Sequence, residues 1–251
     1  MNKTIIGVSL FSFSVLFSAT TFAQTTPDYA KLIEQAHQKY KSNNDGKVAD
    51  YIPALATYSP KNFAITIATV DGKIYQVGDV NKPFPMESLS KVFTMALAME
   101  QHGPQVVLDK LGANATGIPF NSGLAVELTK GAPENPLVNA GAMSTVSLIE
   151  AKDKTDRWNK ILDNLNVWAD ATLTVNEPVF KSEMETNQHN QALAKLMESY
   201  NSFYGNTDEA VEIYTRQCSV DITVEQLAKM GAVLANKGKS PFNGKQLLNE
   251  K

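Results

Sequence analysis

Two short runs of alternating apolar residues stand near the front of the chain, and almost everything after them repeats on a helical period. FAITIATV (63–70) and KIYQV (73–77) have the period-2 pattern of strands, and the Asp71-Gly72 between them is a strong hairpin signal. Ahead of them, residues 29–41 read as a helix, followed by a loop at SNNDGK (42–47). Behind them, the stretch 88–102 carries Leu89, Val92, Phe93, Ala96, Leu97 and Met99 at helical spacing and stops at Gly103-Pro104. Further helices are predicted over 139–151, 155–171, 190–200 and 207–218. A last one starts at Thr223, where Thr223 and Gln226 make a capping box, and ends at Gly238.

This order predicts an α/β (α+β) fold: an N-terminal β-hairpin followed by a large helical region. An isolated hairpin is marginal in water and normally needs a third strand or a covering helix. No run after Val77 reads as a strand long enough to be that partner. Either helices cover the hairpin alone, or its sheet partners are missing from the chain.

The first 23 residues fall outside this pattern. MNKTIIGVSLFSFSVLFSATTFA has one early Lys, a short apolar run dotted with Ser, and small residues at Thr21 and Ala23 before Gln24. These are the parts of a secretory signal peptide, and the run is too short and interrupted for a membrane helix. The expected mature domain is therefore 24–251, periplasmic or secreted, with no membrane association after cleavage. Apolar residues at 43% and charged residues at 20% allow a sizeable single core. A net charge of −3 without any basic block argues against a nucleic-acid partner. Cys218 is the only cysteine, so no internal disulfide can form, and it reads as a buried structural thiol. His37, His102 and His189 lack metal-ligand spacing.

The candidate chemistry is MESLSK (86–91), where Ser88 and Lys91 stand three apart at a helix start. Residues at this spacing share a helix face, so Lys91 can approach the Ser88 hydroxyl. A serine hydroxyl needs a base to become a nucleophile. Lysine serves only when neutral, so its pKa must fall from about 10.4 towards 7–8. A helix N-terminus favours developing negative charge. Taken alone, the same four residues are an ordinary helix start with a capping serine. Their setting after a hairpin and before a buried helix is that of serine acyl enzymes with the β-lactamase fold.

Five blocks in order add to this: GKVADYIPALA (46–56), SLSKVF (88–93), ENPLVNAGAM (134–143), SEMETNQHNQALA (182–194) and YTRQCSV (214–220). Together they resemble the serine-dependent glutaminases, over a match running from about residue 29 to the end of the chain. The resemblance implies a β-lactamase/DD-peptidase-like fold and hydrolysis of L-glutamine to L-glutamate and ammonia through a serine acyl-enzyme. It implies no metal, no organic cofactor, and a homo-oligomer. It makes Ser88 the nucleophile, Lys91 its base, and Tyr214 a further catalytic group. It makes Tyr51, Asn139, Glu183 and Asn190, with Ser88 and Tyr214, the substrate-binding set. Glutamine carries an ammonium, a carboxylate and an amide; Glu183 suits the first, and the amides of Asn139 and Asn190 can donate or accept.

Each residue also has a plain structural reading. Asn139 and Asn190 could cap helices, Glu183 could be a solvated loop charge, and Tyr51 and Tyr214 could be half-buried core aromatics. Two positions depart from the family pattern. Glu87 stands where Gln usually precedes the serine, and His189 where Arg usually precedes the asparagine. A carboxylate at 87 is expected to favour protonated Lys91. The family also continues with a GMYD-like segment and a K-S-G-rich strand that supplies an oxyanion N–H and belongs to the central sheet. Those segments have no counterpart here, so the expectation is a glutaminase domain lacking its C-terminal sheet strands, with activity in doubt. The competing expectations are an exported β-lactam-recognising serine enzyme and a non-catalytic relic.

Overall fold

The computed structural model describes residues 27–250. The signal peptide expected at 1–23 lies outside the described residues. The chain opens with α1 (Tyr29–Tyr40), followed by the hairpin β1 (Ala64–Ala68) and β2 (Ile74–Gly78). Then come β3 (Phe84–Pro85), α2 (Ser90–His102), α3 (Pro104–Leu111), α4 (Gly123–Leu128), α5 (Asn139–Leu148) and α6 (Lys154–Ala169). The order closes with β4 (Thr174–Val175), α7 (Glu177–Thr186), α8 (Gln188–Ser199), α9 (Thr207–Cys218), β5 (Val220–Ile222) and α10 (Val224–Ala235).

The hairpin pairs in antiparallel register, Ile65 opposite Val77 and Ile67 opposite Tyr75. Among the described residues no third strand joins it. Helices cover it instead: α10 packs on β1, and α1 packs mainly on β2. Tyr29 meets Tyr75 with ring centroids 5.5 Å apart, and His37 stacks on Phe63 at 5.0 Å. The capping box that opens α10 forms as the sequence implies, Thr223 and Gln226 each satisfying the other's backbone N–H.

A second, three-stranded sheet was not expected from the sequence. Its order is β3-β5-β4, antiparallel throughout, with Phe84 opposite Ile222 and Val175 opposite Val220. Strands of two or three residues are too short to show a period. The sheet nonetheless decides where the chemistry sits. The N–H of Met86 donates to Val220 O at 2.8 Å, which ties the turn before α2 to the end of α9.

The core is centred on α5. Ala140 through Leu148 are all buried, so this helix has no solvent face. It is enclosed by α2, α3, α8 and α9. Small residues make that possible, and Gly141 is the strictest case. A Cβ there would stand 1.9 Å from the carbonyl oxygen of Asn135. Asn135 in turn shapes the loop before the helix, its Oδ1 accepting from the N–H groups of Leu137 (2.9 Å) and Val138 (3.1 Å). Since backbone rather than a flexible side chain opposes the added methyl, the loop itself must move. Gly141→Ala is expected to lower stability by about 1–3 kcal/mol, read as a shift in the urea midpoint. An unchanged midpoint would mean that the loop is softer than its hydrogen bonds imply.

Candidate active site

The nucleophile candidate does not stand inside α2. Glu87–Leu89 form a 3₁₀ turn, and the regular helix starts at Ser90. Glu87 has φ +50°, a left-handed conformation that costs a non-glycine residue energy. A buried polar lock holds this turn in place. Ser90 Oγ donates to Glu87 O at 2.7 Å and accepts from Gln217 Nε2 at 3.1 Å. Gln217 Oε1 in turn accepts from Thr94 at 2.9 Å. The start of α2 is thereby fixed against the C-terminal turn of α9.

Lys91 points into the protein and is 4% exposed. Its Nζ donates to Asn139 Oδ1 at 2.7 Å and to Leu137 O at 3.1 Å. The rings of Phe120 and Tyr214 lie 5.7 and 5.8 Å away. Burial pushes the Lys91 pKa down, and the Cys218 thiol opposes that shift. Glu87 does not take the part expected of it, because its carboxyl faces Glu183 and Cys218.

Asn139 is the first residue of α5, and the cap position is Val138, so the helix-cap reading of Asn139 is corrected. Its Nδ2 donates to Asn190 Oδ1 at 3.0 Å, and its Oδ1 also receives the Tyr214 hydroxyl at 3.3 Å. Asn190 is the third residue of α8, which starts at Gln188 with Asn187 at the cap position, and it faces α5. Tyr214 is 2% exposed, on the inner face of α9. Burial raises its pKa well above the ordinary range, with Cys218 and Glu183 adding to the rise and the Ser88 hydroxyl opposing it. Glu183 is not a solvated loop charge: it sits on α7, 8% exposed. Tyr51 is not half-buried but 70% exposed, at the pocket mouth.

All the sequence-predicted residues except Lys91 line one cavity of about 290 Å³, and Lys91 reaches it through Asn139. Glu87, Phe120, Asn121, His189 and Cys218 line it as well. His189 Nε2 lies 2.6 Å from Asn121 O, which joins the α8 turn to the loop before α4. Glu87 and Cys218 had sequence signals only in part, one as a departure from the family pattern and the other as a buried thiol. Their convergence needs the β3-β5 pairing, which the sequence did not reveal.

Burial pushes the Glu87 carboxyl up to about 7. Burial, then the charge of Glu87, pushes Glu183 up to about 8, against a hydrogen bond from Ser219. The folded protein therefore holds protons on this pair that the unfolded chain has released above pH ~4.5. That contribution to stability is complete below pH ~4.5 and is lost as pH rises through about 7 and about 8. Lys91, with a lowered pKa, acts with the opposite sign at higher pH, so a variant isolates the acid pair. Glu87→Gln cannot ionise and is expected to reduce the loss of melting temperature between pH ~5.5 and ~8.5. Identical pH profiles for the two proteins would show that Glu87 is solvated.

The comparisons agree with this geometry. The family model "Glutaminase" matches residues 46–251. A glutaminase of Colwellia psychrerythraea is 48% identical over 223 residues, 89% of this chain and 72% of the relative. A glutaminase of Mycobacterium ulcerans is 45% identical over 221 residues, 88% of this chain and 69% of the relative. Among solved structures, "Probable glutaminase ybaS" superposes with a TM-score of 0.86 at 44% identity, covering 88% of this chain and 72% of that one. Mglu in its glutamate form superposes with a TM-score of 0.81 at 30% identity, covering 88% and 51%. With the Ser88 turn, the buried lysine and the family match in agreement, the chain belongs to the glutaminase family.

Proposed function

We propose that the pocket hydrolyses L-glutamine to L-glutamate and ammonia by acylation of Ser88, with Lys91 as the base. Family membership supports the reaction, and nothing in the comparisons favours the β-lactam alternative. The observation that carries the residue roles is the environment of Lys91. A neutral amine has two N–H groups and one lone pair. Leu137 O and Asn139 Oδ1 take up both N–H groups. The lone pair is then the remaining valence, available to take the Ser88 proton as Oγ attacks the side-chain amide carbon. The protonated lysine can return that proton to the departing nitrogen, which leaves as ammonia. Water then attacks the acyl-enzyme by the same route in reverse, releasing glutamate and free Ser88.

Tyr214, beside Ser88 and bonded to Asn139, orients the hydroxyl and the substrate amide. Its raised pKa keeps it a neutral donor. Asn139 and Asn190 offer amide groups to the substrate, Glu183 offers its carboxylate to the ammonium, and Tyr51 covers the mouth. Mglu, a structural neighbour, was solved with glutamate, the product expected here. The N-terminal segment supports export to the periplasm or exterior. Among the described residues no helix is long and apolar enough to cross a membrane. Self-association remains part of the proposal on family grounds.

Ser88→Ala is expected to reduce ammonia release from glutamine by about 10⁴-fold or more while leaving glutamine binding measurable by calorimetry. Lys91→Met is expected to lower kcat by about 10²–10⁴-fold with a smaller effect on KM. Turnover surviving in Ser88→Ala would move the nucleophile elsewhere. Rapid cleavage of a chromogenic β-lactam without ammonia release would replace the substrate class.

A further inference from the structure

At the floor of the pocket, Glu183 meets two groups, Glu87 and Cys218, to which the proposed hydrolysis gives no role. One carboxylate oxygen of Glu87, one of Glu183 and the Sγ of Cys218 all lie within 4.8 Å of one another. They arrive from three elements: the 3₁₀ turn, α7 and the last residue of α9. Glu183 is 8% exposed and its Oε2 has no hydrogen-bond partner; Glu87 Oε1 has none either. Cys218 is 1% exposed, with a long contact of 3.9 Å to Ser90 Oγ and the Tyr214 hydroxyl beside it. Buried polar atoms are normally paired, and two orphaned carboxylate oxygens beside a thiol point to a missing electropositive partner. Lys91 is not that partner, because its amine is held by Leu137 and Asn139.

The donor set narrows the partner's chemistry. An organic ammonium answers carboxylates but gains little from a thiol. Two carboxylates and a thiolate suit a borderline-soft divalent ion. Around a tetrahedral zinc ion, bonds of about 2.3 Å to sulfur and 2.0–2.2 Å to oxygen set neighbouring donors roughly 3.4–3.6 Å apart. The three donors, within 4.8 Å of one another, therefore need side-chain closure of up to about an ångström to grip such an ion. Glu87, Glu183 and Cys218 all line the cavity, so a fourth position faces open space where water can bind.

We propose that Glu87, Glu183 and Cys218 form a binding site for a divalent transition-metal ion of zinc's class at the floor of the substrate pocket. Filling it breaks the S–H bond, forms the metal–sulfur bond and releases the proton to solvent; no electron is transferred. Metal ligands bind in their deprotonated forms, so affinity rises with pH. The ion blocks hydrolysis, because Glu183 cannot serve metal and substrate ammonium together. That last consequence rests on the role proposed above for Glu183, whereas metal binding itself does not.

The test is a titration of the metal-free protein with Co²⁺, followed by absorption, and with Zn²⁺, followed by calorimetry. Wild type is expected to show a thiolate-to-cobalt charge-transfer band. Cys218→Ser should lose that band and bind Zn²⁺ roughly tenfold or more weakly. Glu87→Gln, nearly isosteric, should keep the band and also weaken Zn²⁺ binding, and it serves if Cys218→Ser does not fold. No band in wild type, or a Zn²⁺ affinity unchanged in Glu87→Gln, overturns the site. Glutamine, added to a Ser88→Ala background to prevent turnover, should raise the apparent Zn²⁺ dissociation constant. A thiolate band and variant-sensitive Zn²⁺ binding without that competition would uphold the metal site and overturn the ammonium role of Glu183.

Discussion

The burial of the Lys91 amine is the constraint on which the site depends. A lysine 4% exposed has lost most of its hydration. Its hydrogen-bond acceptors are a backbone carbonyl and a side-chain amide, neither of them charged. Such surroundings compensate a neutral amine well and an ammonium poorly, and this drives the lysine towards its basic form. The cost falls on the fold, which must deliver those two oxygens to one point. Asn139 can do so because it opens α5, and α5 can start there because Gly141 lets the Asn135 carbonyl approach. A glycine outside the pocket lining thus belongs to the chain of causes that sets the surroundings of Lys91.

The turn that carries Ser88 is held by a different device. The small sheet carries Met86 to Val220, and the Ser90–Gln217–Thr94 lock presses the same turn onto α9. Between those anchors Glu87 takes up a left-handed conformation. The strain is local and over-determined from both sides, which fixes the orientation in which the Ser88 turn faces the pocket. Any loosening of α9 therefore reaches Ser88, Tyr214 and Cys218 together.

The long elements were legible in the sequence because each has one apolar face. The hairpin, α2, α6 and α9 follow from periodicity and turn chemistry alone. Three helices were not. α7 reads EPVFKSEMET, with only Val179 and Glu183 buried, so no apolar stripe announces it. α3 follows directly on a Gly-Pro that reads as a stop, although proline is favoured in a first helical turn. α4 is six residues long and leaves Leu124 and Leu128 exposed. The site was legible in a different way. Ser88 and Lys91 had a physical rationale in their spacing, but Asn139, Glu183, Asn190 and Tyr214 were located by family resemblance, since their convergence depends on contacts far apart in the chain. The pairing of Glu87 with Glu183 and Cys218 is of the same kind, fixed by tertiary placement that one-dimensional periods do not encode.

The same low-dielectric pocket acts on its acids and its base in opposite senses. Desolvation raises Glu87 and Glu183 and lowers Lys91, so each moves towards its uncharged form. For Lys91 neutrality is the form that the proposed base role requires. For Glu183, in the ammonium role proposed for it, neutrality is a resting state, because a neutral acid binds an ammonium less strongly than a carboxylate does. An arriving cation reverses the penalty at Glu183 by supplying the charge that burial withheld, and a proton must leave as it binds. The free pocket is therefore a store of unfavourable burial that a cationic ligand relieves. Part of its affinity comes from removing a cost already carried by the fold, and that part grows as pH rises and fewer protons compete for the acid pair.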